Sequence, residues 1–326
     1  MRRVLLSLLL SASALVRAQD VQVPLIEPRL EQAAAELIAT ALDSRAGYAI
    51  VESLTTEVGP RLAGTEAEER ARQWALAKLK ELGFANVRVE PFELPVWTRG
   101  VERAEVMAPY PQPLTITALG GSVSTGPEGV EAELVTFNSL GELRQANADK
   151  VGGRIVFINE PTTRTQDGSG YGVGGAKRRE AAYIAEELGA KAVLIRSVGT
   201  SSHRFPHTGQ MRSVTEAGDA PAGVPAAALS APDADQLGRI LSRGEPVRVK
   251  MTLTPQQRPA GQSGNVIAEI PGRELPDEIV LIGAHLDSWD LGTGAVDDGA
   301  GVGIVVGAAS LLRQALPLGP RRTVRI

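Results

Sequence analysis

The residues best equipped for chemistry lie close together late in the chain. They fall in Gly283-Ala284-His285-Leu286-Asp287-Ser288-Trp289-Asp290 and, a few residues on, in Gly294-Ala295-Val296-Asp297-Asp298-Gly299-Ala300-Gly301. In an extended segment alternate side chains share a face, so His285 and Asp287 point the same way. A carboxylate placed there receives one imidazole N–H and leaves the other ring nitrogen free for a metal. Asp297 stands at the start of the following helix and reaches the same point in space. An aspartate can bridge two cations through its two oxygens. A water shared by such a pair is acidified towards a pKa of about 7, which makes hydroxide available at neutral pH. Singly, each residue has a plainer explanation. A lone His after a strand is usually a surface or capping group, Asp298 reads as the N-cap of the helix, and Asp290 reads as part of a Gly-rich turn. Together, at the end of a strand, His285, Asp287 and Asp297 predict a metal site.

The elements around the string support that placement. Ile279 to Ile282 is a continuous apolar run, as expected for a strand buried on both faces, and open α/β sheets place ligand sites just past strand carboxyl ends. Val302, Val305, Val306, Ala309 and Leu312 predict the helix that follows, and Thr323 to Ile326 a further strand. Asn265 to Ile270 and Val87 to Leu94 also read as strands. Thr65-x-x-Glu68 is a capping box, followed at helical spacing by Ala67, Ala71, Trp74, Ala75, Leu79 and Leu82, with Gly83 as the stop. Residues 28–58 predict two helices, the first with Ala34, Leu37, Ile38 and Leu42 on one face.

From about 118 to 255 Gly and Pro become frequent and a separate α/β pattern appears. Arg154 to Ile158 and Lys191 to Arg196 read as strands. Lys177 to Leu188 reads as a helix with Ala181, Ile184, Ala185 and Leu188 inward, and Ser230-x-x-Asp233 caps a shorter one. This region is read as an insert with its own core.

The chain has 326 residues, 43% hydrophobic and 22% charged, an ordinary globular composition. A formal charge of −4 gives no reason to expect a nucleic-acid partner. With no Cys, disulfides, Cys-ligated zinc and a thiol nucleophile are excluded, and with three His any metal site leans on carboxylates. Arg2 and Arg3, the apolar run Val4 to Leu10, and Val16-Arg17-Ala18 form a cleavable leader. Removing it takes the formal charge to −7. No later stretch reads as long and apolar enough to span a bilayer, so a secreted or periplasmic protein free of the membrane is expected.

The His285 to Gly301 string resembles the metal-binding signature of the M28 family of di-zinc peptidases. Gly59-Pro60-Arg61-Leu62-Ala63-Gly64-Thr65 resembles the family's Gly-Pro-Arg-x-x-Gly-[ST] loop. Tyr171 to Lys177 and Pro206-His207-Thr208-Gly209 resemble pieces of its inserted protease-associated (PA) domain. The likeness covers most of residues 45–326. It implies an α/β fold, a zinc-exopeptidase-like mixed sheet flanked by helices, incomplete here, with an inserted PA-like α/β domain. The implied divisions are a leader at 1–18, a helical segment and first part of the peptidase domain at 19–117, the insert at 118–255, and the first part of the metal site at 256–326. The resemblance further implies two Zn2+ per complete site, His285 as ligand to one, Asp297 bridging both, and Asp287 orienting His285 in the catalytic site without binding metal. It also implies a cis peptide after Asp297, a peptide substrate and a homodimer.

The family pattern continues beyond this sequence, with a Glu-Glu pair shortly after the strand that starts at Thr323, then an Asp and a His. The first Glu is the family's general base. None occurs before Ile326, and two residues do not supply two zincs that take about four ligands each. His203 and His207 are no substitute: Pro206 opposes the helix that would align them, and both read as loop residues. The expectation is a fragment, inactive by itself, of a secreted metallo-exopeptidase acting on dipeptides or short peptides. The alternative is a non-catalytic peptidase-like binding protein. A serine hydrolase finds no support, since no Gly-x-Ser-x-Gly elbow occurs.

Overall fold

The computed structural model describes residues 27–212 and 223–326. The expected leader at 1–18 lies outside the described residues. The chain divides into two compact units, residues 1–44 and 45–326. In the first, α1 (Pro28–Asp43) begins with a proline, which lacks the N–H that a helix start leaves unpaired anyway. None of its residues is buried, the face with Ala34 and Ile38 included.

The second unit opens with α2 (Ala46–Ser53), extended by a π-turn over Leu54–Val58 that stops at Gly59. Helix α3 (Glu66–Glu81) starts where the Thr65 hydroxyl accepts the Glu68 N–H at 3.4 Å. It buries Ala71, Ala75 and Leu79 on one face. Glu68 completes the cap one residue early: its carboxylate takes the Gly64 N–H at 3.4 Å rather than that of Thr65, and is held by Ser263 and Arg72, both at 3.2 Å.

The rest of the unit, in chain order, comprises β1 (Ala85–Thr98), β2 (Glu102–Ala108), β3 (Gln112–Leu114), β4 (Ile116–Ala118), β5 (Val130–Phe137), α4 (Leu140–Arg144), α5 (Ala148–Val151), β6 (Ile155–Ile158), α6 (Ser169–Glu187), β7 (Ala192–Arg196), β8 (Ala226–Leu229), α7 (Ala231–Leu241), β9 (Arg248–Leu253), β10 (Gln256–Ile270), β11 (Leu275–Leu281), α8 (Ala300–Ala315) and β12 (Arg322–Arg325). They form two mixed sheets, a four-stranded one in the order β1-β10-β12-β11 and an eight-stranded one in the order β3-β2-β9-β5-β6-β7-β8-β4.

In the smaller sheet β1 and β10 run antiparallel from Ala85↔Glu269 to Thr98↔Gln256. The chain therefore leaves this sheet after Thr98 and returns at Gln256, and 99–255 is the stretch between. The expected boundary at 118 falls inside the larger sheet, because β2, β3 and β4 pair there and not with β1. Helix α6 also starts earlier than expected, at Ser169, taking in the glycines of Tyr171 to Lys177. β5, β6, β7 and β8 run parallel and are buried at every residue of β6 and β8.

Two expectations are corrected. Ile279, Val280 and Leu281 were read as doubly buried, but they are 44%, 46% and 69% exposed. β11 is an edge strand whose one partner among the described residues is β12, so its apolar composition does not mean cover on both faces. Also, Ala295–Ala315 is long and apolar enough to cross a membrane, at a mean hydropathy of 1.5. That segment contains Asp297 and Asp298, however, and its regular helix has 16 residues, short of the roughly 20 a span needs. Val302, Val306 and Ala309 pack it into a core with Ile50, Leu54, Ile270 and Val324.

Candidate metal centre

The centre forms where β11 gives out. After the Ile282 N–H bonds to Arg325 O at 2.9 Å, the chain leaves the ladder and runs irregularly to the start of α8. His285 and Asp287 share a face, as their spacing predicts: Nδ1 lies 3.1 Å from Asp287 Oδ1 and 3.1 Å from the Asp287 carbonyl. On the other side of the ring, Nε2 lies 3.0 Å from Asp297 Oδ1. The three residues are brought together, and Asp297 is 82% exposed, open to a ligand.

Burial pulls the His285 pKa down, but the charge of Asp287, the contact with Asp297 and the charge of Asp298 outweigh it, and the pKa is raised. Two ligand atoms on one tetrahedral zinc stand about 3.3 Å apart. The 3.0 Å between Nε2 and Oδ1 fits that pair. An imidazole nitrogen and a carboxylate oxygen are donors zinc accepts, and Asp287 sits where it would fix the tautomer. Among the described residues no group of three His, Asp or Glu gathers to close the shell.

The Asp297–Asp298 peptide is cis. Asp298 caps α8, accepting the Gly301 N–H at 3.2 Å, and its other oxygen accepts the His285 N–H at 3.2 Å. Asp290 is not simply a turn residue. Arg99 grips it with Nε at 2.8 Å and Nη2 at 2.9 Å. Arg99 also donates to Glu102, Thr117 Oγ1 and the Ala118 carbonyl, so the site loop is pinned to the larger sheet. Beside it the Trp289 indole packs close against Gly120: a Cβ there would come within 2.1 Å of the ring.

Sequence reasoning missed Arg99, and it assigned no role to Arg61. Arg61 is completely buried, and its guanidinium donates to the carbonyls of Gly59, Leu286, Thr293 and Gly294. Gly294 has φ +60°, and a side chain there would strike Ser288. The position of Arg61 inside the Gly-Pro-Arg motif was the available signal; its partners Leu286, Thr293 and Gly294, more than 220 residues away, were not.

A cleft of about 810 Å3 runs past His285, Asp287 and Asp297. Leu94, Val96 and Trp97 from the smaller sheet line it, as do Tyr183, Gln210 and Arg212 from the stretch between 99 and 255. The stretch between 99 and 255 is thus a wall of the cleft. His203 lies exposed in a loop. His207, also exposed in a loop, has its backbone N–H on Ser197 Oγ at 2.6 Å and its ring edge-on to Tyr171. Burial and the Arg178 charge lower its pKa, and the charge of Asp297 reaches it in the opposite sense.

Comparison with known proteins bears on this geometry. Residues 265–326 match the peptidase family M28 domain. The chain is 38% identical over 279 residues to carboxypeptidase Q of Bos taurus, covering 86% of this chain and 57% of that protein. It superimposes on the crystal structure of a peptidase M28 precursor from Shewanella amazonensis with a TM-score of 0.85 and 48% identity, over 90% of this chain and 66% of that one. A zinc aminopeptidase from Bacillus subtilis shares the fold at 21% identity and a TM-score of 0.58, over 86% of this chain and 60% of that one. The chain therefore spans a little over half the length of the curated relative it matches.

Proposed function

Because this chain belongs to peptidase family M28, we propose that it carries the first two metal donors and one cleft wall of a zinc metallo-exopeptidase that cleaves dipeptides or short peptides. The observation that carries the reading is the line of three side chains, Asp287 to His285 Nδ1 at 3.1 Å and His285 Nε2 to Asp297 at 3.0 Å, opening on the cleft. His285 and Asp297 would hold zinc, with the second oxygen of Asp297 available to a second ion. The chemistry zinc supplies when bound is Lewis-acid polarisation of the scissile carbonyl and a lowered pKa for water. Asp287 keeps the Nδ1 proton on the side away from the metal and holds the ring in plane. Arg212 and Arg258 line the cleft, two cations suited to a free terminal carboxylate, while Trp97, Val96 and Trp289 offer apolar contact to a side chain.

The remaining zinc donors and the general base belong to the part of the family's length that this chain does not span. The stretch between β1 and β10 corresponds to the PA-like domain and serves substrate access. The protein is exported, secreted or periplasmic, after loss of its leader, and works as a homodimer.

The test is made on the protein extended to the length of its relatives. His285→Ala and Asp297→Ala each remove most bound zinc, since each deletes a donor. Asp287→Asn loses more turnover than zinc. Unchanged turnover in Asp287→Asn would refute its assigned part. An extended protein that binds peptides without zinc and without hydrolysis would favour the non-catalytic alternative.

A further inference from the structure

Arg61 is a buried cation with no carboxylate among its described hydrogen-bond partners. Its acceptors are backbone carbonyls, and their distribution is uneven. Gly59 O, at 3.0 Å, belongs to its own loop. Leu286 O, at 2.5 Å, immediately follows His285, and Thr293 O and Gly294 O, at 2.5 and 3.2 Å, stand just ahead of Asp297. Its backbone makes a second pair of bonds: its N–H donates to Ser288 Oγ at 3.2 Å, and its carbonyl accepts the Ser288 N–H at 3.1 Å.

Resting on the zinc reading above, we propose that Arg61 is the positioning residue of the metal donors. One guanidinium latches both ends of the loop from Leu286 to Gly294 and so sets the separation between His285 and Asp297. Only arginine suits the task. Its five donors lie in one rigid plane and span two strands of loop, whereas lysine has three donors about a point. Lysine would keep the charge and lose the fork, which separates geometry from electrostatics. Residues that orient metal ligands typically cost 10–100-fold in affinity when altered.

The test is made on the protein extended to the length of its relatives and compares the unaltered chain with Arg61→Lys and Ser288→Ala. It measures the zinc Kd by competition with a chromophoric chelator, amide exchange at Ser288, and melting temperature. The unaltered chain shows a slowly exchanging Ser288 amide despite its loop position. Arg61→Lys weakens zinc about 10–100-fold and speeds exchange at Ser288 while α6 exchanges as before. Ser288→Ala gives a several-fold loss of zinc affinity. A purely structural role would lower the melting temperature and leave the zinc Kd of the folded protein untouched, and that result overturns the proposal. If Arg61→Lys fails to fold, fast exchange at Ser288 in the unaltered chain, or an unchanged Kd in Ser288→Ala, overturns it instead. An extended protein that binds no zinc at all defeats the zinc reading, and Ser288 exchange then decides the latch alone.

Discussion

In the eight-stranded sheet, Ile155 to Ile158 and Ala226 to Leu229 are wholly buried, and helices α6 and α7 contribute Ala185 and Leu237 to two cores on its faces. In the four-stranded sheet, β11 ends at Leu281 with its apolar residues exposed, and His285 and Asp297, the proposed metal donors that follow it, are exposed too. The region with the chemistry is the less covered of the two. It is held by polar ties: Arg61 to the carbonyls, Arg99 to Asp290, and Asp298 to the His285 N–H. Apolar burial is non-directional and gives the larger sheet stability. Hydrogen bonds fix positions and give the smaller sheet its geometry.

The contrast can be broken in order of expected effect. Phe157→Ala empties a site in the core of the larger sheet and costs about 3–5 kcal/mol in denaturant unfolding, yet should leave zinc binding unchanged while the chain is folded. A parallel loss of zinc affinity under native conditions would show that the two sheets are one cooperative unit. Asp290→Asn replaces a bidentate charged contact with Arg99 by a single neutral acceptor, a cost of about 1.5–3 kcal/mol. Here both regions respond, with amide exchange speeding at Trp289 as well as in the segment around Gly120. Exchange confined to one side would remove Arg99 as the link.

Acid sharpens the comparison further. The Asn86 amide, at 2.6 Å, and then Arg325, at 2.7 Å, bond the Glu269 carboxylate and hold its pKa below the ordinary carboxylate range. A depressed carboxylate stabilises the fold above its unfolded pKa, about 4.3, and that contribution is lost as pH falls through the folded value. Glu269→Gln therefore melts lower than the unaltered chain at pH 7, and the gap narrows below about pH 4. A gap independent of pH would mean that the loss is one of packing. Smallest of all, Val280→Thr on exposed β11 should change stability within about 0.5 kcal/mol. A cost several times larger would indicate that β11 is covered in solution.

Much of the site was legible in advance. The alternation His285-x-Asp287 needs only extended backbone to share a face, and Asp297 needs only the helix start that Val302, Val306 and Ala309 announce. The Thr65 cap and Gly83 stop delimited α3 to within a residue. Arg99 was not legible, because its partners Glu102, Thr117 and Asp290 come together only when the two sheets meet. The start of the larger sheet at Glu102 was hidden likewise: β2 earns its place by pairing with β9, nearly 150 residues on. The apolar run at Ile279 misled because composition reports what a strand is able to bury, while cover depends on its neighbours.

By itself, then, the sequence determined the types and local spacing of the proposed metal donors, the caps and stops of the helices, and the likeness to a family. These rest on periodicity and on turn and cap chemistry, which act over a few residues. Only the tertiary structure decided that the stretch between 99 and 255 is a wall of the cleft, that β11 lies at an edge, and that Arg61 and Arg99 bond the loop from Leu286 to Gly294. Each of those depends on which distant segments share a hydrogen bond or a face, and such contacts leave no periodic trace in the chain.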